Sequence, residues 1–550
     1  MNVWLQHLPV VPIVTPLVAG ATILLLQSSR RILRLSVAFA SIVVQLASAL
    51  MLLYLTTDAV PDVWQQGIGV YSIGAWPAPF GIVLVVDRLS ALMLSLGAAV
   101  ALASFVYSMA RWDRVSPHYH TLYQFLLMGL NGAFLTGDLF NLFVFFEVLL
   151  ASSYGLLLHG SGVSRVTTGL HYIVVNLVSA LLFLIGVALI YGVTGTLNMA
   201  DLVGRIAVLA PADRALFETG AAILGVAFLV KAGCWPLNFW MPAAYAAAGA
   251  PVAAAFSMLT KVGIYAVIRV GTLIASADAE ASFIGEGLFY GGLATIVYGT
   301  IGTLASQRLV KLVSYCVVVS SGILLMALGL NAEALIAPAL FYLLSSVLAT
   351  AAFFLLAGMT ERTRTQVTAG ADIAPLPAVT YGAFGGPDLS DPQAPDDEVG
   401  IAIPAAMAFL GMAFVCCVLI VSGLPPLSGF VAKFGLLSTA INLASDTRFS
   451  FAVWAMVIAI LGAGLAAVIA LTRVGMRLFW TVIGRTTPRL RLIEAGPVAF
   501  LIALCIALTV AAAPVTSYLD SAARSLHSPK TYVHAVLSAQ AGAGIVKEPP

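Results

Sequence analysis

The sequence predicts an all-α membrane protein of about fourteen transmembrane helices, built as two inverted five-helix repeats with helices seven and twelve broken. Three observations carry this. The 550 residues are 61% hydrophobic and only 9% charged, with a mean hydropathy of +1.02; a water-soluble chain cannot hide that much apolar surface. Apolar runs of about 20 residues, the length that crosses the hydrocarbon layer, recur along the chain. Basic residues concentrate in every second connecting loop.

The runs lie in order near 9–26, 32–56, 82–109, 119–136, 139–158, 166–193, 216–240, 250–275, 282–305, 308–330, 334–359, 401–443, 449–474 and 495–514. The opening "MNVWLQHLPVVPIVTPLVAG" has no basic leader region and no small-residue cleavage site, so it reads as a retained first helix. Residues 57–81, with Asp58, Asp62 and "GAWPAPFG", read as an external hairpin or loop. Residues 360–400 are rich in Pro, Gly and Asp and read as a partly disordered cytoplasmic linker. Residues 515–550 read as a polar tail.

Short loops rich in Arg and Lys stay on the cytoplasmic side. Arg30, Arg31 and Arg34 follow the first run, Arg111 and Arg114 the third, and Arg165 the fifth. Arg308 and Lys311 follow the ninth, Arg362 and Arg364 the eleventh. The loop holding Arg473, Arg477, Arg485, Arg489 and Arg491 joins this side if 401–443 crosses once. Both termini then lie outside. The units are residues 1–110 (helices one to three and the hairpin), 111–275 (helices four to eight), 282–474 (helices nine to thirteen with the linker) and 475–550 (the last helix and an external tail).

Composition also excludes. A net charge of +2 leaves no large basic face for nucleic acid. The five cysteines, Cys234, Cys316, Cys416, Cys417 and Cys505, sit in apolar runs without a C-x-x-C spacing and read as packing residues. His118 and His120 fall in a loop and read as solvated rather than metal-bound. The chain carries no phosphate-binding loop, dinucleotide fingerprint or nucleophile elbow. Neither a catalytic residue, a metal nor a cofactor is implied.

Few ionisable residues remain inside the runs: Glu147, Lys231, Lys261 and Lys433, with His171 near the start of run six. Each charge at bilayer depth costs about 2.5–3.5 kcal/mol on insertion scales, so an intramembrane charge reads first as part of an ion or proton path. A plain structural ion pair of Lys231 with Glu147 and a packing role for Lys261 are the bland alternatives, and a structural role is the first reading of His171. Arg269 and the Asp87–Arg88 pair fall near run ends and read as interfacial.

Proline sits beside two of the lysines. Pro236 and Pro242 interrupt run seven; Gly423, Pro425, Pro426 and Gly429 interrupt run twelve. A proline frees backbone carbonyls, which lipid tolerates only where protein or a water-filled cavity satisfies them. Two breaks five runs apart, each with a lysine, are the sequence mark of a repeat-built transporter. Desolvation favours a neutral amine and a nearby carboxylate favours a charged one. Movement of Glu147 relative to Lys231 would therefore load or release a proton. The membrane potential supplies about 2.3 kcal/mol per charge per 100 mV, comparable with such shifts.

Three stretches carry a resemblance: "FFEVLLASSYGLLLHG" (145–160), "LVKAGCWPLNFWMPAAYAAAGAPVAAAFSMLTKVGIYAVIR" (229–269) and "SGLPPLSGFVAKFG" (422–435). They resemble the antiporter-like subunits shared by the membrane arm of respiratory complex I and the Mrp-type multisubunit cation/proton antiporters, over about residues 80–475. The resemblance implies that Glu147, Lys231, Lys261 and Lys433 are the proton-path residues. "PLNFWMPAAY" (236–245), "TGTLNMADL" (194–202) and "DDEVGIAIP" (396–404) look like D subunits of the Mrp type. That implies a bacterial inner-membrane protein moving protons within a Na⁺ or K⁺/H⁺ antiporter, beside subunits of the A, B, C, E, F and G types. A pump subunit of an NADH:quinone oxidoreductase or membrane hydrogenase is the alternative. One departure stands out in "ALFYLLSSVLATAAFFLLAG" (339–358). Relatives commonly place histidine where Ser345 stands, and some place lysine where Thr350 stands. The relay between the two halves is then expected to run through water, Ser345, Ser346 and Tyr342. His171 stands where many relatives carry a basic residue.

Overall fold

The computed structural model describes residues 3–27, 29–57, 64–114, 118–160, 162–278, 283–371, 405–444, 450–479 and 490–539. Among them, thirteen helices are long and apolar enough to cross a membrane. A further helix of 17 residues, Tyr119–Leu135, is packed side by side with two of them. A single small sheet of two strands is described.

α1 (Val3–His7) leads into α2 (Val11–Leu25), and α3 (Arg31–Leu55) returns. A hairpin follows: β1 (Gly69–Ser72) pairs antiparallel with β2 (Val83–Val86), Gly69 opposite Val86. Residues 82–87 thus belong to the hairpin, and the third membrane helix starts only at Arg88. α4 (Arg88–Ser108) opens on a capping box, in which Asp87 accepts from the Ser90 N–H at 2.9 Å and Ser90 Oγ from the Asp87 N–H at 2.8 Å. α5 (Tyr119–Leu135), α6 (Leu139–Leu157) and α7 (Val163–Thr194) follow, then the short α8 (Met199–Ala207). Asp138 caps α6 and Asn198 caps α8.

The seventh run is α9 (Pro211–Ala232), an irregular stretch, and α10 (Met241–Ala247). Pro236 lies in the stretch, but Pro242 does not break a helix. It sits in the first turn of α10, where its missing N–H is no loss. α11 (Ala250–Phe256) and α12 (Leu259–Ala277) form the most enclosed span of the molecule. α13 (Glu286–Ala305) and α14 (Leu309–Gly329) are followed by α15 (Glu333–Ala371). α15 runs 12 residues past the expected end at 359; the rest of the expected linker, 372–400, lies outside the described residues. The twelfth run is α16 (Ala405–Ser422) and α17 (Ser428–Leu443), parted by a break that holds Pro425 and Pro426. α18 (Ser450–Phe479) and α19 (Leu492–Val510) complete the bundle.

The tail expected over 515–550 is largely helical over its described part, to residue 539. α20 (Ala512–His527) and α21 (Lys530–Ser538) fold back over the end of the bundle that carries the hairpin. Leu519, Ala522, Ala523, Leu526, Tyr532 and Val536 are buried there. The polar residues between them mask an amphipathic period. Tyr518 donates to the Arg88 carbonyl at 3.0 Å and bonds Thr56 Oγ1 at 2.9 Å.

Under this cap lies a buried ion pair. Arg269 Nη2 donates to both oxygens of Asp87, at 2.7 and 2.6 Å, with both side chains near 5% exposed. The Tyr532 ring lies 5.1 Å from the guanidinium carbon. The folded-back C-terminus covers both residues. Removing one partner of a buried pair strands the other charge, at about 3–5 kcal/mol. Asp87→Ala is therefore expected to lower the thermal midpoint of the assembled protein strongly. Asp87→Ala combined with Arg269→Met should recover most of that loss in the same melting experiment.

Candidate functional site

Both breaks are built so that a lysine meets them from within. α9 ends with Gly233 in the left-handed conformation (φ 75°), and α16 ends with Gly423 likewise (φ 80°). Each closes with the same type of C-terminal bond, Cys234 N–H to the Leu229 carbonyl at 3.0 Å and Leu424 N–H to the Leu419 carbonyl at 2.9 Å. At the second break the remaining carbonyls are taken by a side chain. Lys433 Nζ donates to the Val421 carbonyl at 3.1 Å and to the Ser422 carbonyl at 2.8 Å. At the first break, Thr295 Oγ1 accepts from the Trp235 N–H at 2.8 Å. Lys231 turns away to the Asn176 side-chain oxygen at 3.3 Å.

Lys231, Lys261 and Lys433 are only 8%, 1% and 7% exposed, too deep to reach water along their stems. Lys261 Nζ donates to Ser320 Oγ at 3.0 Å and to Ser321 Oγ at 3.4 Å. All these partners are neutral. Among the described residues no carboxylate lies within ion-pair distance of any of the three.

Glu147 and Lys231 do not form the direct ion pair weighed from the sequence. Glu147 is half-buried on α6, and its Oε1 has no hydrogen-bond partner among the described residues. Asn238 Oδ1 and Nδ2, Trp240 Nε1 and Thr260 Oγ1 share that condition. Three of these groups flank the first break, and buried polar atoms left this way call for ordered water. Water at the first break would satisfy them.

The second break opens on a cavity lined by Lys433, Ser320, Tyr342, Ser345, Ser346 and Thr350. Ser320 Oγ donates to Ser346 Oγ at 2.9 Å, so Lys261 reaches the cavity wall through two hydroxyls. Ser345 bonds Ser428 at 2.8 Å, at the first residue of α17. The structure thus gathers Lys433, Tyr342, Ser345 and Ser346 around one space, with Lys261 behind its wall at Ser320. Sequence reasoning missed Ser320, Ser321, Asn176 and Ser428. His171 is not part of this site: it is exposed on α7, with Nδ1 on the Thr167 carbonyl at 2.9 Å. Among the described residues no group of three His, Cys, Asp or Glu could hold a metal.

Comparison with known proteins finds relatives along nearly the whole chain. A family described as NADH:quinone oxidoreductase/Mrp antiporter, transmembrane, matches residues 136–378. The D subunit of a probable K⁺/H⁺ antiporter of Rhizobium meliloti is 51% identical over 544 residues, covering 98% of this chain and 99% of the relative. The D subunit of the Na⁺/H⁺ antiporter of Alkalihalophilus pseudofirmus is 33% identical over 540 residues, covering 97% and 100%. A chain of the Mrp complex from Dietzia sp. DQ12-45-1b superposes with a TM-score of 0.80 at 25% identity, over 98% of this chain and 100% of that one. A chain of respiratory complex I from Thermus thermophilus does so with 0.72 at 20% identity, over 96% and 99%, a likeness of fold alone.

The second break tolerates no added atom at Gly429, where a Cβ would lie 1.8 Å from the Ile420 carbonyl oxygen. Gly429→Ala is expected to lower the melting midpoint and to abolish any transport that passes the break. Gly435→Ala, whose Cβ meets only Pro338 at 3.7 Å, should melt like the parent. Equal melting of the two variants would contradict the close approach described.

Proposed function

Because the chain belongs to the family of Mrp-type antiporter D subunits, we propose that its own share of the work is to carry protons along Glu147, Lys231, Lys261 and Lys433. The single observation that supports this is the pairing of each lysine with neutral groups only. A lysine locked to a carboxylate keeps its charge; one held by hydroxyls, an amide or carbonyls leaves its site intact with or without the proton.

In this reading Glu147 and Lys231 exchange a proton through water at the first break. Lys261, Ser320 and Ser346 pass it toward the second cavity, and Lys433 holds it there. Hydroxyls both donate and accept, so they can relay a proton without storing charge. Tyr342 and Ser345 complete the wall of that cavity. The exchange is coupled to Na⁺ or K⁺ movement in the opposite sense, as the names of the relatives suggest. It takes place inside a hetero-oligomer with further membrane subunits, in a bacterial inner membrane with both termini outside. The chain is then a transporter subunit rather than an enzyme. The likeness to complex I is one of fold, and no observation favours a redox assembly.

The test uses the whole complex in vesicles, reading cation-dependent collapse of a pH gradient with Na⁺ and K⁺ compared. Glu147→Gln, Lys231→Met and Lys433→Met should each abolish the signal in complexes that still assemble. Ser320→Ala, which removes one relay hydroxyl, should slow it by about tenfold, the equivalent of one lost hydrogen bond. Parent-like transport in Lys231→Met would end the proposal.

A further inference from the structure

The buried end of α5 holds a group of ionisable side chains that the path above does not use. His120, expected from the sequence to be solvated in a loop, is 1% exposed in the first turn of α5. Neither of its ring nitrogens has a hydrogen-bond partner among the described residues. Two neighbours are in the same condition: Arg34 Nε and Asp113 Oδ1. Arg34 is 5% exposed and Asp113 4%. The other Asp113 oxygen is taken by Arg31 Nε at 2.7 Å.

The groups that act electrostatically on His120 are Asp113, Arg34, Arg31 and His159. They come from α3, from the turn after α4 and from the turn after α6. His159 is spent on the Trp112 carbonyl at 2.8 Å. The rings of Phe105 and Tyr119 each lie 5.3 Å from His120, and Tyr123 gives its hydroxyl to the Ala101 carbonyl at 3.0 Å. Aromatic rings therefore cover the group on one side, and Arg31, Arg34 and Asp113 flank it.

Four buried polar atoms on three side chains do not remain bare; water between them is the ordinary solution. A dry pocket would disfavour a charged imidazole, and water with an open carboxylate oxygen favours it. We propose that this buried cluster is a hydrated proton-holding site, separate from the path through the breaks. His120 takes the proton from the solvent on the basic-loop side, and Asp113 Oδ1 receives the charged ring. Arg34 opposes it, so one carboxylate is contested between Arg31 and His120. Loading the site would loosen the Arg31–Asp113 contact that ties α3 to the turn after α4. The site thus reports proton activity on one face of the membrane to the helices around it.

The experiment uses the whole complex in vesicles with pH set independently on the two faces. In the parent, antiport should follow pH on the basic-loop face with one midpoint. His120→Gln should abolish that midpoint, leave the response to the opposite face unchanged, and keep the maximal rate within about twofold. Asp113→Asn removes the counter-charge and should move the midpoint to lower pH by about one unit or more; Arg34→Gln removes a competing charge and should move it to higher pH. A merely structural role would not shift the two in opposite directions. A parent-like profile in His120→Gln, or shifts of the same sign in the other two, overturns the proposal. If none of the variants assembles, a density map of the parent complex that shows waters decides: ordered water bridging His120, Asp113 and Arg34 supports the site, and a dry cluster overturns it. Loss of the maximal rate in Lys231→Met has no bearing on these midpoints, so the two readings fail separately.

Discussion

In hydrocarbon every backbone N–H and C=O needs a partner, and a broken helix leaves some without one. The rest of this structure depends on how the two breaks meet that demand. At the second, the donor is Lys433, whose amine lies on the Val421 and Ser422 carbonyls. The same atom that satisfies the break is then the atom that could hold a proton. Any change in its charge acts directly on the geometry of α16 and α17. The first break is closed by other means, a turn at Gly233 and the Thr295 hydroxyl. Lys231 is therefore released to Asn176. Two breaks that look alike in sequence place their lysines under different constraints. One lysine is tied to the backbone, and the other is free to respond to a carboxylate.

Between them the polar groups are hydroxyls. Ser320 and Ser346 link Lys261 to the cavity of Lys433, and Ser345 reaches across to Ser428. A histidine at position 345 could store a charge midway; serine cannot. In the proposed path, charge resides at Glu147 and the three lysines. That leaves hydroxyls such as Ser320 and Ser346, with water, to carry it between them. It also makes α14 and α15, which hold Ser320 and Ser346, part of the site.

The features legible in the sequence are those with a local cause. Hydropathy over about 20 residues marks the spans, and proline beside a lysine marks the breaks. Ser320, Ser321 and Asn176 give no such signal, because serine or asparagine inside an apolar run is ordinary until tertiary packing puts a lysine against it. The position of Glu147 relative to Lys231 is likewise a matter of how α6 and α9 pack, which no spacing along the chain reveals. His120 looks like a loop residue in sequence because His118 and Pro117 stand beside it; burial there is imposed by α3 and α4. The C-terminal helices escape a hydropathy reading because their apolar positions are diluted by Asp, Arg and Ser. Asp87 and Arg269, 182 residues apart, can be paired only by the fold.

The pinning of α12 decides what can move. Eight residues, or about 12 Å of helix, separate Lys261 from Arg269. At one end the Arg269 guanidinium is held by Asp87 and covered by Tyr532. At the other, Gly263 lies against the backbone of Lys231 and Ala232 at the first break. A span enclosed on all sides and fixed at both ends cannot slide or turn without breaking a buried ion pair. On the proposed path, passage of a proton by Lys261 would therefore be a matter of side-chain rotation among Ser320, Ser321 and water, not of helix movement. The conformational freedom that coupling requires has to lie elsewhere. The element with the most direct link between charge and backbone is the junction of α16 and α17 around Lys433.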